Sequence, residues 1–324
     1  MELNFKGLPQ LINRFPDDAS ARQYLEQLRW NGTPICPFCG YDKWYKLNDG
    51  KTYKCGNKQC HKKYTVTVGT VFQSSHIPLN IWFAGMYLMS SHKKGISSHQ
   101  LAKDLNITQK SGWHMLHRMR EMYRVKEPVK LSGIVEADET YMSRKFHSEN
   151  KPADFDFTPS WPNIKEKGCV FGMVQRKGQV VVKVFESNKG DDIKKAIKNN
   201  VAKHSFLFTD GSSLYHKGLD QYKKDSVIHS KKEYVRGDIH TNNIENFWGC
   251  MKRGIYGIYH QVSYKHLQRY CDEFSFRYNN RDIKDNSRFI LSLSKPEGRL
   301  KYKTLISNEP RKKEEYQKEE SEWD

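Results

Sequence analysis

Residues 134–141 read IVEADETY and residues 205–215 read SFLFTDGSSLY. Each is a short run of β-branched and aromatic residues that closes on an acid, Asp138 in the first and Asp210 in the second. Such runs are strand signals. Side chains alternate along a strand, so Glu136 and Asp138 share one face and Glu139 takes the other. Outward from these runs, 131–138, 168–175, 179–186 and 205–210 read as strands, with a tight turn at Lys177-Gly178. Helical patterns fall near 190–202, 242–253 and 264–279. A hairpin followed by helix, strand and helix predicts an α/β domain with a mixed sheet. A third acid, Glu245, lies in HTNNIENFWGCMKRG, at the start of a helical stretch. One buried Asp could be a salt-bridge partner or a turn cap. Three carboxylates in these settings predict an oxygen-rich pocket for hard divalent cations, Mg²⁺ or Mn²⁺. Two such ions about 3.5–4 Å apart activate a nucleophilic oxygen and stabilise the leaving oxygen of a phosphodiester. The expectation is phosphoryl transfer on DNA.

Two further patterns precede this region. Cys36-Pro-Phe-Cys39 and Cys55-Gly-Asn-Lys-Gln-Cys60 form paired knuckles, each followed or interrupted by a glycine (Gly40, Gly56) where the turn is tight. Four thiolates so spaced suit tetrahedral Zn²⁺, and the aromatic-rich runs around them predict a zinc ribbon. His61 is a conceivable substitute ligand, but the four cysteines already complete a site. Residues 95–124 then read GISSHQLAKDLNITQKSGWHMLHRMREMYR. Ser97-Ser98 caps one helix and Thr108 a second, with Asn106 in the turn. This is the helix-turn-helix pattern, whose second helix enters a major groove. Its exposed positions are expected to include Gln109, Lys110, Ser111 and His114, then His117, Arg118 and Arg120. The alternative is an ordinary helical hairpin. The chain thus divides into an N-terminal helical segment (1–30), a zinc ribbon (31–76), a helix-turn-helix module (77–127), a catalytic domain (128–300) and a charged tail (301–324) expected to be disordered.

Lys and Arg outnumber Asp and Glu by 55 to 37, for a net charge of +18. The stretch 311–324 is net acidic, so the basic excess lies in the rest of the chain and favours a polyanionic partner. No apolar window is long enough to span a membrane, and the N-terminal residues do not resemble a signal peptide. A reducing, cytoplasmic setting is expected, with Cys169, Cys250 and Cys271 packed as small apolar residues. Within 264–278, Leu267, Tyr270, Phe274 and Tyr278 recur at helical spacing and predict core. Arg277 and Arg281 are weighed as phosphate contacts against solvated surface. The segment 144–167 reads as a long loop.

The order zinc ribbon, helix-turn-helix, then ADET…TDGSSLY…HTNNIENFWGCMKRGIYGIYHQVS…EFSFRYNNR resembles the DDE transposases of insertion sequences related to Merlin elements, over roughly residues 20–290. The resemblance implies an RNase H-like, retroviral-integrase-like catalytic core. It implies that Asp138, Asp210 and Glu245 bind two catalytic ions. Lys252, seven residues after Glu245, then matches the family's Glu…Lys signature, and Lys252 and Arg253 steady a DNA phosphate. Some relatives use Asn for the last acid, which leaves Asn242 as the competitor of Glu245. His240 and His260 either line the cleft or pack in the core. The implied partners are element ends and target DNA, bound by a homodimer or larger assembly, in the cytoplasm on a nucleoid or in a nucleus. A DNA-binding regulator without catalysis and a structure-selective nuclease with the same core are the competing readings.

Overall fold

A computed structural model describes residues 3–125, 128–142, 168–186, 190–215, 217–228 and 231–307. The expected loop at 144–167 and the tail beyond 307 lie outside the described residues. The chain forms two compact units, one from residues 1–123 with 282–324 and one from residues 124–281.

The first unit opens with helices α1 (Leu8–Arg14) and α2 (Asp18–Trp30). Asp17 caps α2 through the Ser20 amide at 2.8 Å. A small antiparallel sheet follows: β1 (Trp44–Lys46), β2 (Tyr53–Cys55) and β3 (Lys63–Tyr64). Helix α2 belongs with this sheet physically. Trp30 packs edge-on against Tyr53 and Tyr64, Tyr53 Oη donates to Glu26 at 3.0 Å, and Arg29 donates to the Val66 and Val68 carbonyls. The apolar helix α3 (Leu79–Ser91) is buried over most of its length. Helices α4 (Ser98–Asp104) and α5 (Gln109–Met122) form the helical pair that the sequence predicts. Ser97 and Thr108 cap them through the Gln100 and Ser111 amides, and Asn106 takes a left-handed turn with φ 51°. Gly112 lets the two helices touch, because a Cβ there would stand 3.0 Å from the Ser98 carbonyl.

The second unit is built on a five-stranded sheet of β4 (Ile134–Met142), β5 (Gly168–Gln175), β6 (Val180–Phe185), β7 (Phe206–Thr209) and β8 (Lys223–Ser226), with α6 (Gly190–Asn200) between β6 and β7. The order across the sheet is β6-β5-β4-β7-β8. Strands β4, β5 and β6 are antiparallel neighbours, whereas β7 and β8 run parallel to β4. That order and those directions define an RNase H-like sheet. A small hairpin, β9 (Val235–Arg236) with β10 (Ile239–His240), leads into α7 (Asn242–Gly254), a single π-turn (Ile255–Tyr259) and α8 (Tyr264–Asn279). One sheet face packs on α6 through Val135, Ala137, Ile193, Ile197 and Leu207. The other packs on α7 and α8 through Val170, Val182, Trp248, Met251, Leu267 and Phe274. The expected core role of 264–278 is therefore met. Arg277 pairs with Glu273, and Arg281 lies over the Tyr278 ring while donating to the Gly178 carbonyl.

The chain then returns to the first unit. Helix α9 (Asp285–Leu293) lies beside α3, with Phe289 edge-on to both Phe5 and Phe83. The Val71 amide donates to the Pro296 carbonyl at 2.8 Å. Residues 282–300, expected in the catalytic domain, thus complete the N-terminal unit instead. Within the stretch expected to be disordered from 301, Tyr302–Ile306 forms the short helix α10. No helix among the described residues is long and apolar enough to cross a membrane.

Candidate active site and metal centres

In the ribbon, the Sγ atoms of Cys36, Cys39, Cys55 and Cys60 all lie within 4.8 Å of one another. Cys36 and Cys60 are 3.8 Å apart, and Cys39 and Cys55 are 3.6 Å apart. A tetrahedron with Zn–S bonds of about 2.3 Å has edges of about 3.8 Å, so the thiols fit zinc as they stand. Burial pushes the Cys55 thiol up to about 12, while a backbone hydrogen bond from Tyr41 leads the effects that hold Cys39 below its ordinary value. A bound divalent ion offsets that cost of burying thiolate. Gly40 adopts φ 71°, and at Gly56 a Cβ would meet the Lys43 carbonyl at 3.0 Å.

The acidic site lies where the parallel pairing of β4 with β7 stops, past Glu136 on β4 and at the carboxyl end of β7, where ligands of α/β sheets commonly bind. Glu136 and Asp138 share a face, as alternation predicts, but they do different work. Glu136 is 0% exposed and fully engaged. It accepts from Arg176 Nε at 2.8 Å, from the Asn243 side-chain amide at 2.7 Å, and from the Asn243 and Ile244 backbone amides at 2.8 and 3.2 Å. His240 Nδ1 stands 3.4 Å from it. A carboxylate on the first amides of a helix is the expected place for negative charge. Glu136 is thus an anchor for the start of α7, and His240 and Asn243 face it.

Asp138 sits one pleat further along, where its Oδ2 accepts from Trp248 Nε1 at 3.0 Å. Its strand partner is Gly172, and only glycine fits there, since a Cβ would lie 2.6 Å from the Trp248 ring. Burial first, and then the Asp210 charge, push the Asp138 carboxyl up to about 6. Glu245 adds to that push, so its charge is felt at Asp138. Asp210 follows β7 in a turn, with Gly211 at φ 79° and the Ser212 amide donating to Oδ1 at 3.1 Å. Glu139 points to the opposite face, toward Tyr215, and burial pushes it up to about 7, with Asp210 and Asp138 adding to the shift.

Among the described residues, the carboxylates close enough to share an ion are Asp138, Glu139 and Asp210, with ligand oxygens within 4.8 Å of one another. Glu245 is exposed on the first turn of α7, and its Oε1 accepts from Thr241 Oγ1 at 2.8 Å. Glu245, Trp248 and Lys252 follow one another at three- and four-residue steps, so they share one stripe of α7, and Trp248 on that stripe reaches Asp138. Arg253 is exposed and donates to Cys250 Sγ at 3.2 Å. His260 is exposed, with φ 58°.

On the helical pair, Gln109 and Lys110 are exposed, and Ser111 and His114 are half-buried. Lys110 Nζ lies 4.9 Å from the Tyr302 ring centroid, and His114 packs on that ring while its Nε2 meets the Leu300 carbonyl at 3.2 Å. Arg118 must be corrected. It is 5% exposed, lies over the Trp82 ring and donates to the Gln73 carbonyl. His117 and Arg120 are buried as well. Sequence reasoning also missed Arg176, Trp248 and Tyr215. The three-residue step from Glu245 to Trp248 was the only local signal for any of them.

Residues 130–279 match the ISXO2-like transposase domain, and residues 16–63 match the transposase zinc-ribbon domain. The chain therefore carries an ISXO2-like transposase domain of the DDE type behind a transposase zinc-ribbon domain. A protein in the transposable element ISH50 of Halobacterium salinarum is 24% identical over 278 residues, covering 82% of this chain and 92% of the relative. Two solved structures are more distant. The Mos1 strand transfer complex has a TM-score of 0.27 at 11% identity, over 66% of this chain and 74% of that one. A pre-cleavage Mos1 transpososome has a TM-score of 0.24 at 13% identity, over 64% and 76%.

Proposed function

We propose that this chain binds the ends of its own element and catalyses metal-dependent strand cleavage and strand transfer. The observation that carries this reading is the meeting of Asp138 and Asp210 just past the last paired residues of two parallel strands, in a domain of transposase type. Asp138, Asp210 and Glu245 are the residues assigned to hold Mg²⁺ or Mn²⁺. Two ions bound there supply the Lewis acidity that polarises both the attacked phosphodiester and its leaving oxygen. Trp248 holds Asp138 in one orientation through its indole N–H. Lys252, on the next turn of α7, is placed to meet a phosphate, and Arg253 lies beside it. Water cleaves one P–O bond and frees a 3′-hydroxyl. That hydroxyl then attacks a target phosphate, forming one P–O bond as another breaks. Gln109, Lys110, Ser111 and His114 are the assigned DNA contacts of the helical pair, aided by the basic excess of the chain. Transposition joins two element ends, so the working assembly is a dimer or larger, located with its DNA in the cytoplasm or nucleus.

The test is a gel assay of labelled element-end DNA with the purified chain, in Mg²⁺ or Mn²⁺ against EDTA. Metal-dependent cleavage followed by joining is expected. Asp138→Ala, Asp210→Ala and Glu245→Ala should each lower cleavage at least about a hundredfold while leaving end binding intact. Specific binding with no cleavage in either metal would instead make the chain a regulator. Cutting without regard to end sequence, and without joining, would make it a nuclease.

A further inference from the structure

Strands β4 and β7 stay paired only as far as Glu136 and Phe208, whereas β4 continues beside β5 to Met142. Beyond Glu136 the edge of β4 toward β7 is no longer laddered, and Asp138, Glu139 and Asp210 gather there. In a closed ladder, Glu139 would be separated from Asp138 by the sheet itself. Here an oxygen from each of the three comes within 4.8 Å of the others. Two independent features single out Glu139. Its Oε1 is shielded from solvent and accepts no hydrogen bond of good geometry. The Tyr215 hydroxyl, on a residue 3% exposed, is likewise buried without a well-formed bond, and it faces the same three carboxylates. A buried carboxylate oxygen without a donor is costly. Three residues earlier, Glu136 shows what a purely structural glutamate acquires in this fold: an Arg, two helix amides and an Asn. Glu139 has no such set. Oxygens that share one Mg²⁺ at about 2.0–2.1 Å stand roughly 3–4 Å apart, close to the present arrangement.

We propose that Glu139 is a ligand of the divalent-cation site, completing with Asp138 and Asp210 a three-carboxylate set on the sheet while Glu245 approaches from α7. The inference rests on the metal-dependent reading of this site and adds a residue that the Asp138, Asp210 and Glu245 assignment leaves out.

The experiment measures Mn²⁺ affinity of the zinc-loaded full chain by electron paramagnetic resonance of free Mn²⁺, without DNA. Parent, Glu139→Gln, Glu139→Asp, Asp138→Asn and Asp210→Asn are compared. Glu139→Gln should weaken Mn²⁺ binding about tenfold or more, as Asp210→Asn does, and Glu139→Asp should recover part of the loss. With no divalent cation added to the zinc-loaded chain, Glu139→Gln should melt no lower than the parent, because the amide relieves repulsion within the cluster. Parent-like Mn²⁺ affinity in Glu139→Gln, with loss in Asp138→Asn and Asp210→Asn, would overturn the proposal and leave the metal site standing. Melting of the zinc-loaded Glu139→Gln chain well below the parent with no added divalent cation would also overturn it, by showing a structural carboxylate. Unchanged affinity in all the variants would remove the metal reading itself.

Discussion

Two acids two residues apart have opposite roles here, and their surroundings decide which is which. Removing Glu136 leaves Arg176 and the first amides of α7 without their acceptor, so Glu136→Ala should cost about 3 kcal/mol or more in urea unfolding. Amide exchange at Asn243 and Ile244 should quicken with it; a loss below about 1 kcal/mol would contradict the anchor role. Gly172→Ala drives a methyl into Trp248 and should cost about 1–3 kcal/mol, with a change in indole fluorescence as the ring leaves Asp138. Burial and then the Asp210 charge push the folded Asp138 carboxyl up to about 6, above the ordinary aspartate value of 3.8. Its charged form therefore opposes folding in the absence of cations. In EDTA, Asp138→Asn and parent should be equally stable near pH 3, and the variant should gain an advantage as pH rises from about 4 through about 6. Saturating Mn²⁺ should reverse that advantage. Alternation in IVEADETY placed Glu136 and Asp138 together and Glu139 apart. It could not separate anchor from ligand, because Arg176 and Asn243, which make the difference, are remote in sequence. The opening of the β4–β7 edge that brings Glu139 back is likewise a property of pairing, invisible in either strand alone.

At the scale of elements, capping was the legible part. Ser97, Asn106 and Thr108 announced the helical pair, and the structure places its helices at Ser98–Asp104 and Gln109–Met122. Thr108→Ala should remove about 1 kcal/mol from the first unit in urea unfolding. The outer face of α5 was misread beyond its first turns, because Arg118 has both a long aliphatic stem and a charge. A sequence shows the charge, whereas the fold uses the stem and the plane, laying them on Trp82. Helix α10 reaches the start of the same helix, where Tyr302 covers His114. Burial is the main influence lowering the His114 pKa. Tyr302→Ala should let it climb toward its ordinary value, which an NMR titration of the imidazole would show; an unmoved titration would mean that other neighbours bury the ring.

For the whole molecule, four of the five strands of the main sheet and its three long helices were readable from period and turns, whereas the edge strand β8, Lys-Lys-Asp-Ser with no apolar residue, and the short β9–β10 hairpin gave no such signal. What escaped was the return of the chain to the first unit. Helix α9 carries an apolar stripe like that of any surface helix, and nothing local says that Phe289 meets Phe5 and Phe83. Chelation of zinc should unfold the ribbon together with α2, whose Trp30 packs on Tyr53 and Tyr64, while the RNase H-like unit keeps its own transition. Hydrogen exchange with and without chelator would separate the two; simultaneous loss of both would show a single cooperative system. The position of residues 124–281 in the sequence, between the two segments of the first unit, also sets a timetable. A ribosome makes the protein from one end, so α3 leaves the exit tunnel long before α9 exists to cover it. The unit bearing the helical pair is therefore finished last, after the whole catalytic unit has emerged. A newly made chain can assemble its acidic site before it holds the complete surface assigned to element ends.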